Sequence, residues 1–259
     1  MAESKLKIDI RRNKILEQLR AEGKVSVSQL SGSLGTTPVT IRNDLAALER
    51  DGYLIRMQGG AVLSQRMHNC FVPGSDSEEH DFAQKQAVAV EAAKLIQDGD
   101  TLFFNSGTTT YHIARALQTK KHLNIVTNSL AVAMELGSVS TFNVLLLGGE
   151  INARYGFTYG GDAQDQLCKY QADWAILSVD GVSARGGVTT YHAEEAIIDR
   201  LMMANAKKAL IAATGSKIGR AGFSRVCESN AGILLVTSDD CNQDALSSLR
   251  ERNVHIIQV

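Results

Sequence analysis

The stretch TTPVTIRNDLAALERDGYLIRMQGGAVL, Thr36 to Leu63, decides the fold of the N-terminal part of the chain. Thr37 stands before Pro38, an N-cap hydroxyl followed by a residue whose missing N–H is not needed at the first helical position. Ile41, Leu45 and Leu48 then recur at helical spacing, which predicts a helix with Thr37, Thr40, Arg42 and Asn43 on its early turns, off the apolar stripe. After Gly52, the segment YLIRMQGGAVL alternates around Gly59-Gly60, which predicts a two-stranded wing carrying Arg56.

Upstream, Ile8, Ile15, Leu16 and Leu19 share a helical face that Gly23 ends, and Val27, Leu30 and Leu34 make a second, shorter one ending at Gly35. Three helices and a wing predict a winged helix-turn-helix. In that arrangement the start of the third helix, with Thr37, Thr40, Arg42 and Asn43, meets base edges and phosphates of operator DNA, while Arg56 on the wing reaches phosphate or minor groove. Winged helices also serve as protein-contact modules, the competing reading. Residues 1–65 hold ten Lys/Arg against seven Asp/Glu, a surplus of +3 that leaves −4 on the rest of a chain whose net charge is −1. That asymmetry suits nucleic-acid contact by the first part.

With 259 residues the chain is long enough for a small and a larger domain. Its 44% hydrophobic and 21% charged residues are an ordinary globular composition, and no apolar run is long enough to span a membrane. The charged start MAESKLKIDIRRNK has no signal-peptide core, so a cytoplasmic protein without membrane association is expected. Cys70, Cys168, Cys227 and Cys241 form no CxxC pair, which argues against a disulfide framework or zinc knuckle, and the histidines lack ligand-like spacing. Neither metal nor cofactor is implied. The polar segment SQRMHNCFVPGSDSEEHDF separates two well-patterned regions, so the expected division is 1–63, a linker over 64–82, and 83–259.

The larger region begins with a helix at AQKQAVAVEAAK and then alternates. Strand-like TLFFN, LNIVTN, FNVLLLGG, DWAILSVDG, KALIAAT, AGILLVTS and VHIIQV are separated by TTYHIARALQ, SLAVAMELG, DAQDQLCKY, HAEEAIIDRLMMANA and CNQDALSSLRERN, which have helical periodicity. The alternation predicts an α/β, Rossmann-like domain on a mainly parallel sheet, with ligands at the carboxyl ends of strands. After the first strand, Asn105 to Thr110 joins TLFF to a helix. Gly107 permits close approach, Ser106, Thr108, Thr109 and Thr110 offer hydroxyls, and the helix start offers N–H groups, a combination suited to phosphate. Simple N-capping is the alternative. Further strand ends place Asn128, Asp180, Gly181 and Lys217 toward the same edge, Lys217 as a second phosphate cation and Asp180 as an acceptor for sugar hydroxyls.

RRNKILEQL, VSVSQLSGSLGTTPVTIRNDLAALERDG and IRMQGGAVL resemble the DNA-binding domain of the DeoR family of bacterial transcriptional regulators. NSGTTT, VTNSL, LLGG, VDG, GGVTTYHAEEA and SKIGR resemble its sensor domain, similar in fold to type A ribose-5-phosphate isomerase. The resemblance implies a repressor with a phosphorylated sugar effector, phosphate at SGTTT and Lys217, and sugar near Asp180, Gly181 and Glu194 or Glu195. A second acid of the isomerase pattern is replaced here by Ser183 and a lysine by Arg185, which cannot give up its proton, so no catalytic residue is assigned. Thr214-Gly215-Ser216-Lys217 departs from the Asp-x-Ser-Lys of the family. A homodimer or homotetramer is expected because paired half-sites need paired readers. An isomerase or deaminase with a DNA-binding appendage is the alternative.

Overall fold

The computed structural model describes residues 2–50, 53–63, 79–153 and 155–259. The chain divides into two compact units, Met1–Arg66 and Met67–Val259. Most of the segment expected as a linker, together with Cys70 and His68, lies outside the described residues.

In the first unit, α1 (Ala2–Glu22) leads through β1 (Lys24–Ser26) to α2 (Val27–Ser33), α3 (Pro38–Arg50), β2 (Leu54–Met57) and β3 (Gly60–Leu63). Gly23 and Gly35 take φ of +72° and +58°, a left-handed backbone that ends α1 and α2 without a Cβ penalty. Ile15, Leu19, Leu30, Ile41, Leu45 and Leu48 are all at most 1% exposed, so the three apolar stripes meet in one core. The wing is larger than the two strands expected. Its order is β1-β3-β2, antiparallel, with Val25 opposite Ala61 and Ser26 opposite Gly60. Three residues of KVS are too few to show alternation. Gly60 fits there because any Cβ would run into the Val25 carbonyl oxygen.

One buried charge ties α1 to α3. Asp44 is 2% exposed, and its two carboxylate oxygens accept from Arg11 Nε and Arg12 Nε. Both arginines come from α1, so the pairing fixes the helix that carries the expected DNA contacts against its support.

In the second unit, α4 (Glu79–Lys94) is followed by β4 (Thr101–Phe104), α5 (Thr108–Ala116), β5 (Asn124–Thr127), α6 (Leu130–Gly137), β6 (Asn143–Leu146), β7 (Glu150–Asn152), β8 (Phe157–Tyr159) and α7 (Gly161–Leu167). Then come β9 (Ala172–Ser178), β10 (Gly181–Ser183), β11 (Gly187–Thr190), α8 (Ala193–Ala204), β12 (Ala206–Ala213), β13 (Ser224–Cys227), β14 (Ile233–Thr237), α9 (Gln243–Arg250) and β15 (His255–Gln258). The expected α/β organisation is present: all seven apolar runs become strands of one parallel sheet, ordered β15-β14-β12-β9-β4-β5-β6. Helix α4 starts at Glu79, four residues before the expected Ala83; its first turn, EHDF, is mostly polar and shows no apolar period from which the earlier start could be read.

Side chains alternate across the sheet. Leu102 and Phe104 pack in a cluster with Val88 of α4, Ile113 of α5 and Leu136 of α6, whereas Phe103 joins a cluster with Leu167 of α7, Met202 of α8 and Leu246 of α9. Each face of the sheet is thus covered by its own helical layer, as a parallel sheet requires. Two small antiparallel additions were not legible in the sequence: the hairpin β7-β8 and the three-stranded β10-β11-β13. Their strands are three or four residues long, and at Gly187 a Cβ would collide with the Cys227 carbonyl oxygen.

Replacing Asp44 by alanine should lower the stability of the first unit by about 2 kcal/mol, below the full cost of a stranded buried charge because both guanidinium groups keep some solvent. Thermal unfolding followed by circular dichroism measures the loss; an unchanged melting profile would remove Asp44 from the role given to it.

Candidate DNA interface and effector crevice

Helix α3 begins at Pro38. Thr37 Oγ1 accepts from the Thr40 N–H at 3.2 Å, and the Thr37 and Thr40 hydroxyls lie 2.9 Å apart. Both threonines therefore form the helix cap, and their oxygens are already in contact with each other. Arg42 and Asn43 are exposed, as expected for outward positions. Arg56 lies on the wing, but its Nε donates to Glu49 Oε2 at 2.6 Å and its backbone N–H to Glu49 Oε1 at 2.9 Å. The guanidinium expected to seek phosphate is docked on α3 by an exposed pair, a contact worth at most about 1 kcal/mol that a phosphate can replace. Sequence reasoning missed Val39, 62% exposed on the same helix.

In the second unit the chain leaves β4 toward the α4–α6 layer and β9 toward the α7–α9 layer, although the two strands are neighbours. Their diverging ends make the topological switch point, where α/β sheets bind ligands. Asn105 spans it with no exposed surface: Nδ2 donates to Ser178 O at 2.9 Å and to Asp199 Oδ1 at 3.0 Å, and Oδ1 accepts from Ser178 N at 2.9 Å. Gly107 follows in an extended conformation, and a Cβ there would strike Ser178 Oγ. Glycine is needed at this point for close approach, not for a positive φ.

The hydroxyl-rich loop is only partly available to an anion. Ser106 Oγ donates to Tyr155 O at 3.2 Å, and Thr110 Oγ1 is fully buried within reach of Asn105 O at 3.2 Å and Gly107 O at 3.0 Å. Thr109 is buried and Thr108 exposed. What the loop presents is the start of α5, which has no side-chain cap, so its first N–H groups are not met by a side chain. Of the four hydroxyls expected around an anion, those of Ser106 and Thr110 are thus engaged with backbone carbonyls.

Asn128 has no exposed surface; its Nδ2 donates to Thr158 O at 3.1 Å, tying the end of β5 to β8, and its Oδ1 is buried with no hydrogen-bond partner among the described residues. Gly181 is buried, and a Cβ there would meet Arg220 O at 2.6 Å, so packing accounts for the glycine. Lys217 closes the 3-10 turn Gly215–Lys217 after β12, the strand beside β9, and is partly exposed. Glu194 is exposed on the first turn of α8, whereas Glu195 is buried. The inward member of the pair is therefore Glu195.

Asp180 Oδ2 accepts from the Tyr191 N–H at 2.9 Å and lies 3.1 Å from Thr190 Oγ1, which is also 2.7 Å from Glu195 Oε2. A hydroxyl has one proton to give. Thr190 Oγ1 therefore shares its proton between the Glu195 and Asp180 oxygens. Burial pushes the Glu195 carboxyl well up, with the charges of Asp199 and Asp180 acting in the same direction. Burial likewise raises Asp199 to about 8 against the favourable hydrogen bond from Asn105, with Asp180 adding to the rise. Glu195 and Asp199 stand four apart on the otherwise apolar inner face of α8, a spacing visible in the sequence that had not singled out Asp199.

A capped helix with outward Arg42 and Asn43 beside a wing, joined in one chain to an α/β crevice, defines a DNA-binding regulator with a sensor unit. Residues 11–67 match the DeoR-like helix-turn-helix domain and residues 80–239 the DeoR C terminal sensor domain, so the chain belongs to the DeoR family of transcriptional regulators. It is 32% identical over 210 residues to the glycerol-3-phosphate regulon repressor of Escherichia coli (strain K12), covering 81% of this chain and 82% of that protein. It is 32% identical over 244 residues to the HTH-type transcriptional repressor GlcR of Bacillus subtilis (strain 168), covering 92% and 91%. Among solved structures, the ribose 5 phosphate isomerase A of Neisseria gonorrhoeae overlaps 51% of this chain and 52% of its own at 16% identity and a TM-score of 0.39.

The buried acids set a pH dependence with a definite sign. The folded chain holds a proton at Asp199 that the unfolded chain releases above its ordinary carboxylate pKa of about 4, so this group's contribution to stability falls as pH rises from about 4 to about 8. Asp199→Asn keeps an acceptor for Asn105 and removes the titration. Its melting temperature should gain on the wild type as pH goes from 5 to 8, and parallel curves for the two proteins would refute the assignment.

Proposed function

We propose that the chain represses a carbohydrate-metabolism operon and is released from its operator by a phosphorylated sugar. The observation that carries this reading is the switch-point crevice, with the uncapped start of α5 on the β4 side and Asp180 at the end of β9 on the other. Gly107, Thr108 and Thr109 would receive the phosphate through backbone N–H groups, with Ser106 and Thr110 shaping the loop and Lys217 supplying positive charge. Asp180 would accept from sugar hydroxyls, with Asn128, Gly181 and Glu194 contributing to the surrounding wall rather than to direct contact. The names of the relatives support the reading, one a repressor of a glycerol-3-phosphate regulon and none of those compared above in sequence an enzyme.

On the DNA side, Arg42 and Asn43 would meet base edges, Thr37 and Thr40 would cap the helix and approach phosphate, and Arg56 would exchange Glu49 for phosphate. The protein acts in the cytoplasm as a homodimer or homotetramer. A ligand moves it off DNA by binding two arrangements unequally, and a factor of 5–150, roughly 1–3 kcal/mol, is the usual scale for such coupling.

Fluorescence anisotropy of the full chain on duplexes from its own upstream region, across a salt series and a panel of sugar phosphates, tests the proposal. Tight, salt-sensitive binding weakened by one phosphosugar is expected. Arg42→Ala should lower affinity roughly tenfold, the scale of one specific side-chain contact to a base. Gly107→Ala, by driving a methyl into Ser178, should leave DNA affinity intact and abolish the response. A duplex bound equally with and without every phosphosugar would reject the effector reading.

A further inference from the structure

Three of the large apolar residues of α3, Ile41, Leu45 and Leu48, are at most 1% exposed, whereas Val39 is 62% exposed. It precedes Arg42 by three residues and Asn43 by four, so the three side chains share one outward face of the helix. The polar groups nearest in sequence are already engaged, since Thr37 and Thr40 cap the helix and contact each other. An isopropyl group presented between them and Arg42 has no polar partner to offer a base. The C5-methyl of thymine is the apolar feature that the major groove displays, and it is matched by small apolar side chains.

We infer that Val39 is a specificity-determining residue that reads a thymine methyl, on the base pair adjoining those met by Arg42 and Asn43. The inference rests on the DNA-binding reading of α3 and adds to it a named base and a named atom. Arg42 and Asn43 supply polar discrimination toward guanine and adenine, and Val39 supplies the apolar contact that hydrogen bonds cannot give. Because the side chain is already in solvent, trimming it removes no packing from the unit's core.

The test uses the full-length protein and duplexes enriched by it from a random pool. Each thymine of the enriched half-site is replaced singly by deoxyuridine, which deletes only the methyl, and affinity is measured for the wild type and for Val39→Ala. One position should weaken wild-type binding about four-fold, the value of one buried methyl group. Val39→Ala should bind the unmodified duplex more weakly by a similar factor, lose sensitivity at that position alone, and melt like the wild type. A wild type indifferent to every deoxyuridine, or a variant as sensitive as the wild type, would overturn the inference. Failure to enrich any duplex would instead reject DNA binding itself, so the two failures are told apart.

Discussion

Asn105 is the constraint on which the sensor unit depends. Two neighbouring strands send their chains to opposite faces of the sheet, and the side chain that bridges them has every polar atom engaged and no exposed surface. An amide suits this position because it both donates and accepts: Ser178 offers a carbonyl and an N–H, and Asp199 an acceptor. A carboxylate could not donate, and a hydrocarbon would strand the ends of β4 and β9. Ser178, whose backbone the same bridge holds, lies so close to Gly107 that a Cβ there would strike its hydroxyl. The helix start that faces the crevice is thus set by contacts beneath it.

The two units bury acids in opposite ways. Asp44 is flanked by two guanidinium groups, so its carboxylate is met by opposite charge. Asp199 and Glu195 have no such partners among the described residues, and burial pushes their carboxyls up toward the neutral form instead. A single threonine hydroxyl lies between Glu195 and Asp180.

Long patterns were legible and short ones were not. TLFF, NIVT and ADWAILS announced strands because their apolar residues run without interruption between turn residues, and the sheet pairs every one of them. KVS, GVS and SRVC are strands only because partners elsewhere in the chain complete them. The site followed a similar division. That chemistry would gather at strand ends was readable from the alternation of strands and helices, but whether a side chain there turns to ligand or to backbone was not. Asn128 and Thr110 turned to backbone, since buried carbonyls must find donors, and Glu195 rather than Glu194 turned inward because the apolar face of α8 takes it there. Val39 was passed over for the converse reason: an apolar residue in a helix reads as core until its direction is known.

These arrangements determine how a ligand's pull can travel. Asp180 is held to Tyr191 and, through Thr190, to Glu195; Asp199 on the next turn of α8 is held to Asn105 beneath the phosphate-type loop. Both sides of the crevice are therefore anchored to one helix by buried and part-buried hydrogen bonds. In the proposed site, a hydroxyl at Asp180 would compete for the oxygen that Thr190 and Tyr191 already use, and an anion at the start of α5 would act on the loop that Asn105 begins. Neither would shift its own side without loading α8. On the proposed reading, a phosphorylated sugar touching both sides would load that helix from both ends of the relay, which a free phosphate or an unphosphorylated sugar would not.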